Sequence, residues 1–375
     1  MSTNPRIYLD FNATSPLSAN VRAALTQMIS DLAVGSGNPS SIHAEGRQAR
    51  DRVERARDQV ARLVGRPREQ VVFTSGGTEA NHLGVLGLAA VAEQRGLPRV
   101  VAAAAIDHPS LRGAVAALVS RGWRSQPIAV TAEGGLEVGS LAGVGLVTLA
   151  VVNHELGTIA DPAVVAAARA AGALVHLDAV QAAGKRALAA LDADAIAISG
   201  HKLGAPQGVG ALAIARDDGL PVIEAGHQER GRRPGTENTL GIVGFGAAAE
   251  AVDPAGWAQV AALGDRLEAG LRAIDGVRIH GAGAPRIGGT INAGFTGARG
   301  ESIVIALDLA GIAASTGAAC SSGSVQPSPV LLGLGLAPDR AREAVRFSLG
   351  RTTTAGEIDE VLARLPPIVA RARRR

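Results

Sequence analysis

The stretch that decides the fold is LVTLAVVNHELGTIADPAVVAAARAAGALVHLDAV, residues 146–180. Two continuous apolar runs, LVTLAVV (146–152) and ALVHL (173–177), have the composition of buried strands. Between them, PAVVAAARAAG (162–172) is rich in alanine and typical of a helix. A strand, a helix and a second strand in succession predict parallel strands joined by a crossover helix.

The same alternation continues on both sides of this unit. Further strands are predicted at VVF (71–73), RVVAAAA (99–105), AIAIS (195–199) and VGALAIA (209–215). We therefore expect an α/β fold with a mainly parallel sheet and helices on both faces. Beyond a helix predicted near 257–273 the pattern changes. VRIH, GGTINAGF and AVRFSLG are typical strands of a smaller α+β C-terminal domain, which ends in a helix.

Composition narrows the class of protein. The chain has 375 residues, 47 % of them apolar, which is enough for a sizeable core. The N-terminus lacks the pattern of a signal peptide, and no apolar run approaches the roughly 18 residues that span a bilayer. We therefore expect a soluble cytoplasmic protein. With a net charge of +3 and 2 % aromatic residues, the composition does not favour nucleic-acid binding.

Two residue types are scarce. Of the 37 lysines and arginines, only Lys185 and Lys202 are lysines, and Cys320 is the one cysteine. An internal disulfide is therefore impossible, and neither CxxC nor HExxH metal-ligand spacing occurs. This scarcity leaves few candidates for chemistry that needs an amine or a thiol.

Polar residues follow several of the predicted strands directly. Strand 146–152 is followed by Asn153, His154 and Glu155, strand 173–177 by Asp178, and strand 195–199 ends in Ser199 before His201 and Lys202. In parallel sheets, ligand sites lie at the carboxyl ends of the strands. We expect these side chains to meet in one crevice.

The segment TSGGTEA (74–80) joins a predicted strand to a predicted helix. Gly76 and Gly77 allow the backbone to approach a ligand, and the helix N-terminus offers N–H groups to an anion, with the Thr78 hydroxyl beside them. An ordinary glycine turn with a threonine cap explains the segment equally well. The fingerprints of dinucleotide and nucleoside-triphosphate sites are absent.

Asp178 and Lys202 each have a functional and a structural interpretation. An ionised Asp178 suits a pyridinium nitrogen, although aspartate at this position is also a good helix cap. Lys202 has the desolvation-sensitive amine that imine formation needs. A surface lysine is the alternative, but surface cations in this chain are ordinarily arginines. Lys185, next to Arg186, fits the surface interpretation better.

The sequence as a whole resembles the cysteine desulfurases, which belong to the class-V aminotransferase-like group of fold-type-I pyridoxal-phosphate enzymes. The resemblance runs from about residue 7 to about residue 360. Eight motifs occur in the order seen in that family: DFNATSP, GNPSSIHAEGR, TSGGTEANHLG, HLDAVQAAGK, SGHKLGAPQGVGAL, GHQERGRRPGTEN, STGAACSSGS and VRFSLGRTTT.

The resemblance implies a fold and a set of roles. It implies a large cofactor-binding domain over 16–254, with a sheet of the seven-stranded type, and a small domain formed by 1–15 and 255–375. The implied catalytic residues are Lys202, which binds pyridoxal phosphate as a Schiff base, Cys320 and His108. The implied cofactor ligands are Gly77, Thr78, His108, His154, Asp178, Gln181, Ser199, His201, Lys202 and Thr236. The implied substrate-binding residues are Asn12, Ala13, Thr14, Asn153 and Arg346.

Several of these roles are specific. Asp178 matches the partner of the pyridine nitrogen, Gln181 a ligand of the ring oxygen, and His108 the imidazole stacked on the ring. Arg346 matches the group that binds the substrate carboxylate. Thr236 matches a residue that reaches the phosphate from a second subunit, so the resemblance implies a homodimer.

Cys320 has an implied role in sulfur transfer, whereas His154 departs from the family pattern. Cys320 stands among small and polar residues in STGAACSSGS, and the resemblance makes it the nucleophile that forms a persulfide. His154 departs from the family, which commonly has a second asparagine there. An imidazole can replace a carboxamide donor, but it is bulkier and titrates near neutrality.

The predicted function is that of a cysteine desulfurase. It removes sulfur from L-cysteine, releases L-alanine and leaves a persulfide on Cys320 for a sulfur-acceptor protein, with iron–sulfur cluster assembly among the possible destinations. A selenocysteine lyase or another class-V aminotransferase-like enzyme is the nearest alternative. A non-catalytic phosphate- or nucleotide-binding α/β protein is the alternative from another class.

Overall fold

The structure, a computed structural model, describes residues 6–32, 37–214, 225–253, 255–317 and 326–374. In chain order the elements are β1 (Ile7–Tyr8), α1 (Ala19–Leu32), α2 (Ala44–Val64), β2 (Val71–Thr74), α3 (Gly77–Gln94), β3 (Val100–Ala104), α4 (Pro109–Ser120), β4 (Arg124–Ile128), β5 (Leu146–Ala150), α5 (Pro162–Ala170), β6 (Leu174–Asp178), β7 (Ala195–Ser199), β8 (Gly210–Ile214), α6 (Thr239–Glu250), α7 (Trp257–Arg272), β9 (Val277–His280), β10 (Thr290–Phe295), α8 (Gly300–Leu309), β11 (Ile312–Ala313), α9 (Pro329–Gly333), α10 (Pro338–Ala341), β12 (Ala344–Ser348) and α11 (Ala355–Ala372).

The large sheet has seven strands in the order β2-β8-β7-β6-β5-β3-β4. Strands β3 to β7 pair in parallel, whereas β8 is antiparallel to both β2 and β7. The prediction of an α/β fold with a mainly parallel sheet is therefore confirmed. Because β3, β5, β6 and β7 run in one direction, the segments that follow them meet at one edge of the sheet.

Alternate residues of the large sheet pack into two separate hydrophobic clusters. Ile196 and Ile198 of β7 belong to the larger cluster, which also holds α2 and α6 residues. Ala195 and Ala197 belong to the smaller one, under α3 and α4. All five residues of β7 are buried, and burial on both faces is why the parallel strands are continuous apolar runs rather than alternating ones.

The C-terminal part contains a second, smaller sheet. Strands β9, β10 and β12 are antiparallel, in the order β12-β10-β9. Helices α7 and α8 pack against these strands, and α11 packs against both helices. The N-terminus joins this part, since β1 pairs with β11 and Asp10 bridges to Ser348. The larger hydrophobic cluster continues from the large sheet into these elements. The division at 16–254 stays a prediction.

Among the described residues, no helix combines the length and the apolarity that a membrane-spanning helix requires.

Candidate active site

A cavity of about 550 Å³ opens at the carboxyl edge of the large sheet. The segments after β2, β3, β5, β6 and β7 form its floor, the N-terminal segment and β12 form one wall, and residues just before α9 form another. Most of the predicted site residues line it. These are Asn12, Ala13, Gly77, Thr78, His108, His154, Asp178, Gln181, Ser199, His201, Lys202 and Arg346.

Four predicted residues are not in this lining. Thr14 lies immediately behind it, with its Oγ1 3.1 Å from Nδ1 of His201. The Asn153 side chain instead orders its own turn, donating to the Ile106 carbonyl oxygen and accepting from two backbone N–H groups. Thr236 is exposed before α6, and Cys320 lies outside the described residues. Substrate or cofactor contacts by these four stay predictions.

Lys202 lies in a short helical turn, Gly200–Leu203, that follows β7. Its amine donates hydrogen bonds to the backbone oxygens of Asn12 and Ala13, at 2.5 and 2.7 Å. Burial lowers the pKa of this amine to about 8, and the nearby charge of Arg346 contributes to the shift. Near neutrality the amine is therefore far closer to its nucleophilic, neutral form than an ordinary lysine is.

Asp178 is the last residue of β6 and is buried. One carboxylate oxygen accepts from the backbone N–H of Val180 at 2.9 Å, and the other accepts from the Asn81 amide at 2.8 Å. Burial raises the pKa of the carboxyl, and these two hydrogen bonds oppose the rise. Each oxygen keeps a lone pair for a cationic donor in the cavity.

The start of α3 forms an open anion cradle. The N-cap residue is Gly76, which has no side chain to cap the helix. The first N–H groups of the helix are therefore available to a ligand. A Cβ on Gly77 would lie 2.8 Å from the Val180 side chain and 3.3 Å from Ser199. The Ser199 hydroxyl is buried and has no hydrogen-bond partner. An orphaned hydroxyl facing a helix N-terminus fits a phosphate group.

His108 is linked to Asp178 through two residues that sequence reasoning missed. The Asn81 amide donates to both Asp178 and the Ser110 hydroxyl, and that hydroxyl lies 2.8 Å from Nδ1 of His108. The Ser110 backbone N–H also donates to Nδ1. Since burial lowers the pKa of His108, the ring is neutral near pH 7 and carries its proton on Nε2. Both partners were visible in the helical segments after β2 and β3, but nothing in the pattern distinguished them.

His154 meets His108 edge to face, with ring centroids 5.0 Å apart. Its Nδ1 is buried without a hydrogen-bond partner. Burial lowers the pKa of His154 well below its ordinary value, with the neighbouring His108 contributing. The expectation that this imidazole titrates near neutrality is therefore wrong, because the sequence did not show how deeply the side chain is enclosed.

Arg346 lies at the centre of β12 and is buried. Its guanidinium donates to Asp10 at 2.7 Å and to the backbone oxygen of His154 at 3.1 Å, while Nε has no partner. A guanidinium fixed in this way at the wall of a cavity is suited to a carboxylate. Asp10, which holds it, was not predicted as part of the site.

Lys185 is the clearest correction to the sequence analysis. Its amine is buried and donates to Asn12 Oδ1 and Gln181 Oε1, both at 2.9 Å. The surface interpretation is therefore wrong. The residue is partly exposed as a whole, so the hydrophilic QAAGKR context was compatible with either placement. Lys185 does not line the cavity, which leaves Lys202 as the lysine that does.

Glu155 is one of three buried acids that line the cavity, together with Asp107 and Asp178. Its carboxylate accepts from the Ser328 hydroxyl at 2.6 Å, and burial raises its pKa. Within the described residues, no group of histidine, cysteine, aspartate or glutamate side chains is arranged to bind a metal ion.

Comparison with known proteins agrees with this geometry. A sequence profile described as "Aminotransferase class-V" matches residues 7–361. Cysteine desulfurase 2 of Trichormus variabilis is 39 % identical over 379 residues, which cover 98 % of this chain and 94 % of that protein.

Two solved structures share the fold. One, titled "NIFS-LIKE PROTEIN", has a TM-score of 0.87 and 29 % identity over 97 % of this chain and 99 % of that chain. Another, titled "SspA in complex with cysteine", has a TM-score of 0.79 and 26 % identity over 93 % and 100 %. The chain therefore belongs to the class-V aminotransferase family of pyridoxal-phosphate enzymes, among its cysteine desulfurases.

Proposed function

We propose that this protein is a cysteine desulfurase that converts L-cysteine to L-alanine and retains the sulfur as a persulfide on Cys320. The observation that carries the proposal is Lys202, a desolvated amine that shares one cavity with Asp178 and an open anion cradle. The relative at 39 % identity is named a cysteine desulfurase, and one structural neighbour was solved with cysteine.

The residues present suit pyridoxal phosphate. Gly77, Thr78, Ser199 and His201 would hold the phosphate, and Lys202 the aldehyde carbon. Asp178 would accept from the ring nitrogen, Gln181 would donate to the ring oxygen, and His108 would cover one face of the ring. When bound, the cofactor withdraws electrons from the substrate Cα and so acidifies its proton.

Lys202 has two tasks in this proposal, and both need the neutral amine. It binds the cofactor, and after release by the substrate amine it takes the proton from the substrate Cα. A general base works best when its pKa lies near the working pH, and burial brings Lys202 to about 8. Arg346 would fix the substrate carboxylate and with it the position of Cα.

The sulfur transfer is balanced without any further reactant. The substrate Cβ–S bond breaks and an S–S bond to Cys320 forms, so the thiol is oxidised to a persulfide while the carbon is reduced to a methyl group. The Cys320 thiolate is the attacking form. His108, neutral with its proton on Nε2, offers a hydrogen-bond donor rather than a base on the cavity side.

Several finer points belong to the same proposal. The protein works as a homodimer in the cytoplasm, and Thr236 completes the phosphate site of the other subunit. This fits the exposure of Thr236 and its absence from the cavity of its own chain. A sulfur-acceptor protein then removes the persulfide sulfur, with iron–sulfur cluster assembly as its destination.

The test is to supply L-cysteine and a thiol reductant to the purified, pyridoxal-phosphate-loaded protein. Equal amounts of alanine and sulfide are expected. Alanine and selenide from L-selenocysteine, without sulfide from L-cysteine, would instead identify a selenocysteine lyase. A protein that binds phosphate but never becomes coloured with pyridoxal phosphate would refute the proposal.

A further inference from the structure

Lys185 is the one lysine whose amine is held entirely by two side-chain amides. Its Nζ lies 2.9 Å from Asn12 Oδ1 and 2.9 Å from Gln181 Oε1, and the Trp257 ring centroid is 5.3 Å away. The side chain reaches neither the cavity nor the proposed reacting atoms. It therefore makes no direct contact with a ligand in the cavity.

An amine that donates to two amides fixes which way both amides point. A lysine amine presents N–H donors, so it faces the amide oxygens and turns the amide NH₂ groups away. The Asn12 NH₂ accordingly donates to the His154 backbone oxygen and to Thr290 Oγ1. The Gln181 NH₂ donates to the Asn12 backbone oxygen at 3.0 Å.

The orientation of Gln181 matters for the cavity that it lines. Its NH₂ group has two hydrogens, and the Asn12 backbone oxygen takes one. The second is left to donate to a ligand. If the amide flipped, its oxygen would face the ligand and the Asn12 backbone oxygen, acceptor against acceptor, and its NH₂ would face the protonated Lys185 amine, donor against donor.

We propose that Lys185 is a positioning residue that holds Gln181 as a hydrogen-bond donor to the ring oxygen of pyridoxal phosphate. This inference rests on the proposed function. Lys185 itself performs no chemical step. Its effect passes through the Gln181 amide, and Asn12 is held in place by the same amine.

The charge of the Lys185 amine could also act on the cofactor directly, without passing through the Gln181 amide. Burial lowers the pKa of the Lys185 amine to about 7, and the charges of Lys202 and Arg346 contribute to the shift. The positive charge that the amine carries below this pKa could therefore shift the titration of the cofactor by electrostatics alone. The experiment must separate that effect from loss of the oriented donor.

The readout is the pH midpoint at which the visible absorption of the bound cofactor changes. A donor to the ring oxygen favours its ionised form, so losing the donor should raise the midpoint. We expect Lys185→Met to raise it by about half a pH unit or more. Lys185→Gln retains a shorter donor and should give a midpoint between those of the wild type and Lys185→Met.

The decisive comparison is between Gln181→Met and the double variant Gln181→Met/Lys185→Met. If Lys185 acts through Gln181, then adding Lys185→Met to Gln181→Met should move the midpoint no further. Arg186→Met is the matched control, because it removes an adjacent positive charge that bonds to neither amide, and its midpoint should stay at the wild-type value.

Two results would overturn the inference. One is a wild-type midpoint in folded, loaded Lys185→Met, or in Lys185→Gln should Lys185→Met not fold. The other is a shift that persists unchanged in the Gln181→Met background, for either Lys185 variant. A wild-type protein that takes up no pyridoxal phosphate would defeat the proposed function instead, so the two failures are distinguishable.

Discussion

The guanidinium of Arg346 is held by the Asp10 carboxylate at 2.7 Å. This contact joins the centre of β12 to the N-terminal segment, residues separated by most of the chain. The same guanidinium donates to the backbone oxygen of His154, and its Nε remains free. The guanidinium is thus already oriented at the cavity wall, so binding a carboxylate there would cost little further side-chain entropy.

Arg346→Lys should impair substrate binding while the fold and the bound cofactor persist. A lysine keeps the charge but not the planar fork that contacts Asp10 and a carboxylate together. Loss of one charge-assisted hydrogen bond is worth about 1.5–3 kcal/mol, so KM for L-cysteine should rise roughly 10- to 100-fold. Arg342→Lys, at a surface ion pair with Asp339, is the control. Steady-state kinetics showing an unchanged KM would exclude Arg346 from the substrate site.

Lys202 should be modified by pyridoxal phosphate and borohydride with a pH dependence set by its lowered pKa. The amine is protonated and unreactive below its pKa of about 8, so the initial rate of modification should rise as pH increases through that value. Peptide mass spectrometry should find the label on Lys202. Lys202→Ala should take no stable label and lose turnover by at least roughly 10²- to 10⁴-fold, the usual contribution of a general base. Labelling of Lys185 instead would contradict the assignment.

Cys320→Ser should separate cofactor chemistry from sulfur transfer. Because the chain has one cysteine, a protein-bound persulfide can form only there. The variant should keep its colour and respond spectrally to L-cysteine, but gain no sulfur in intact-protein mass spectrometry and release little sulfide. Ser315→Ala, at a residue that lines the cavity near the same segment, is a comparison that keeps the thiol. Sulfide release at the wild-type rate by Cys320→Ser would make the thiol incidental.

The large sheet was predictable because its strands are buried on both faces and therefore form continuous apolar runs. Strand β4 was missed for the opposite reason. It is the edge strand RSQPI (Arg124–Ile128), four of its five residues are not buried, and Pro127 lies within it. Edge strands tolerate proline and polar residues, so neither hydrophobicity nor periodicity distinguishes them from a loop.

The sequence predicted most of the residues that line the cavity, but not the contacts that hold them in place. The strand-end rule brought Asp178, Ser199 and Lys202 together correctly, because they lie at or just beyond the ends of the neighbouring parallel strands β6 and β7. The rule could not find Asp10 or the amine of Lys185, which meet the site through contacts between distant segments. Burial also decides protonation, and for Lys185 and His154 it could not be read from the hydrophilic residues around them.

Arg57 and Glu229 should contribute strongly to stability near the segment that carries Thr236. Their buried, bidentate pair has N–O distances of 2.6 and 2.7 Å, and Glu229 also accepts from the backbone N–H of Phe73. Glu229 adopts a left-handed φ of 47°, a conformation that this anchoring offsets. Arg57→Met should lower the free energy of unfolding by about 3–5 kcal/mol, because it leaves a buried carboxylate unpaired.

Denaturant unfolding of the loaded protein measures this loss. The double variant Arg57→Met/Glu229→Gln removes both charges and should recover part of the stability. Arg62→Met is the control, because Arg62 lies on the same helix as Arg57 but forms an exposed ion pair with Glu250 of α6. Such exposed pairs contribute about 0–1 kcal/mol. Equal stabilities of Arg57→Met and Arg62→Met would show that the buried pair is not an anchor.

His154→Asn tests the position where this chain departs from its relatives. The contacts that tie His154 to Asn12 and Arg346 use its backbone oxygen, so the substitution leaves them in place. Burial holds the pKa of the imidazole well below its ordinary value, so the ring is neutral from about pH 6.5 upward. The imidazole therefore adds no titration of its own to the profile in this range. We therefore expect the pH profiles of alanine release in His154→Asn and wild type to superimpose between about pH 6.5 and 8.5, with rates that differ by a constant factor. The exposed His43→Asn is the matched control. A profile displaced only in His154→Asn would mean that the imidazole gains a proton near neutrality in the working enzyme, and that its enclosure opens when substrate binds.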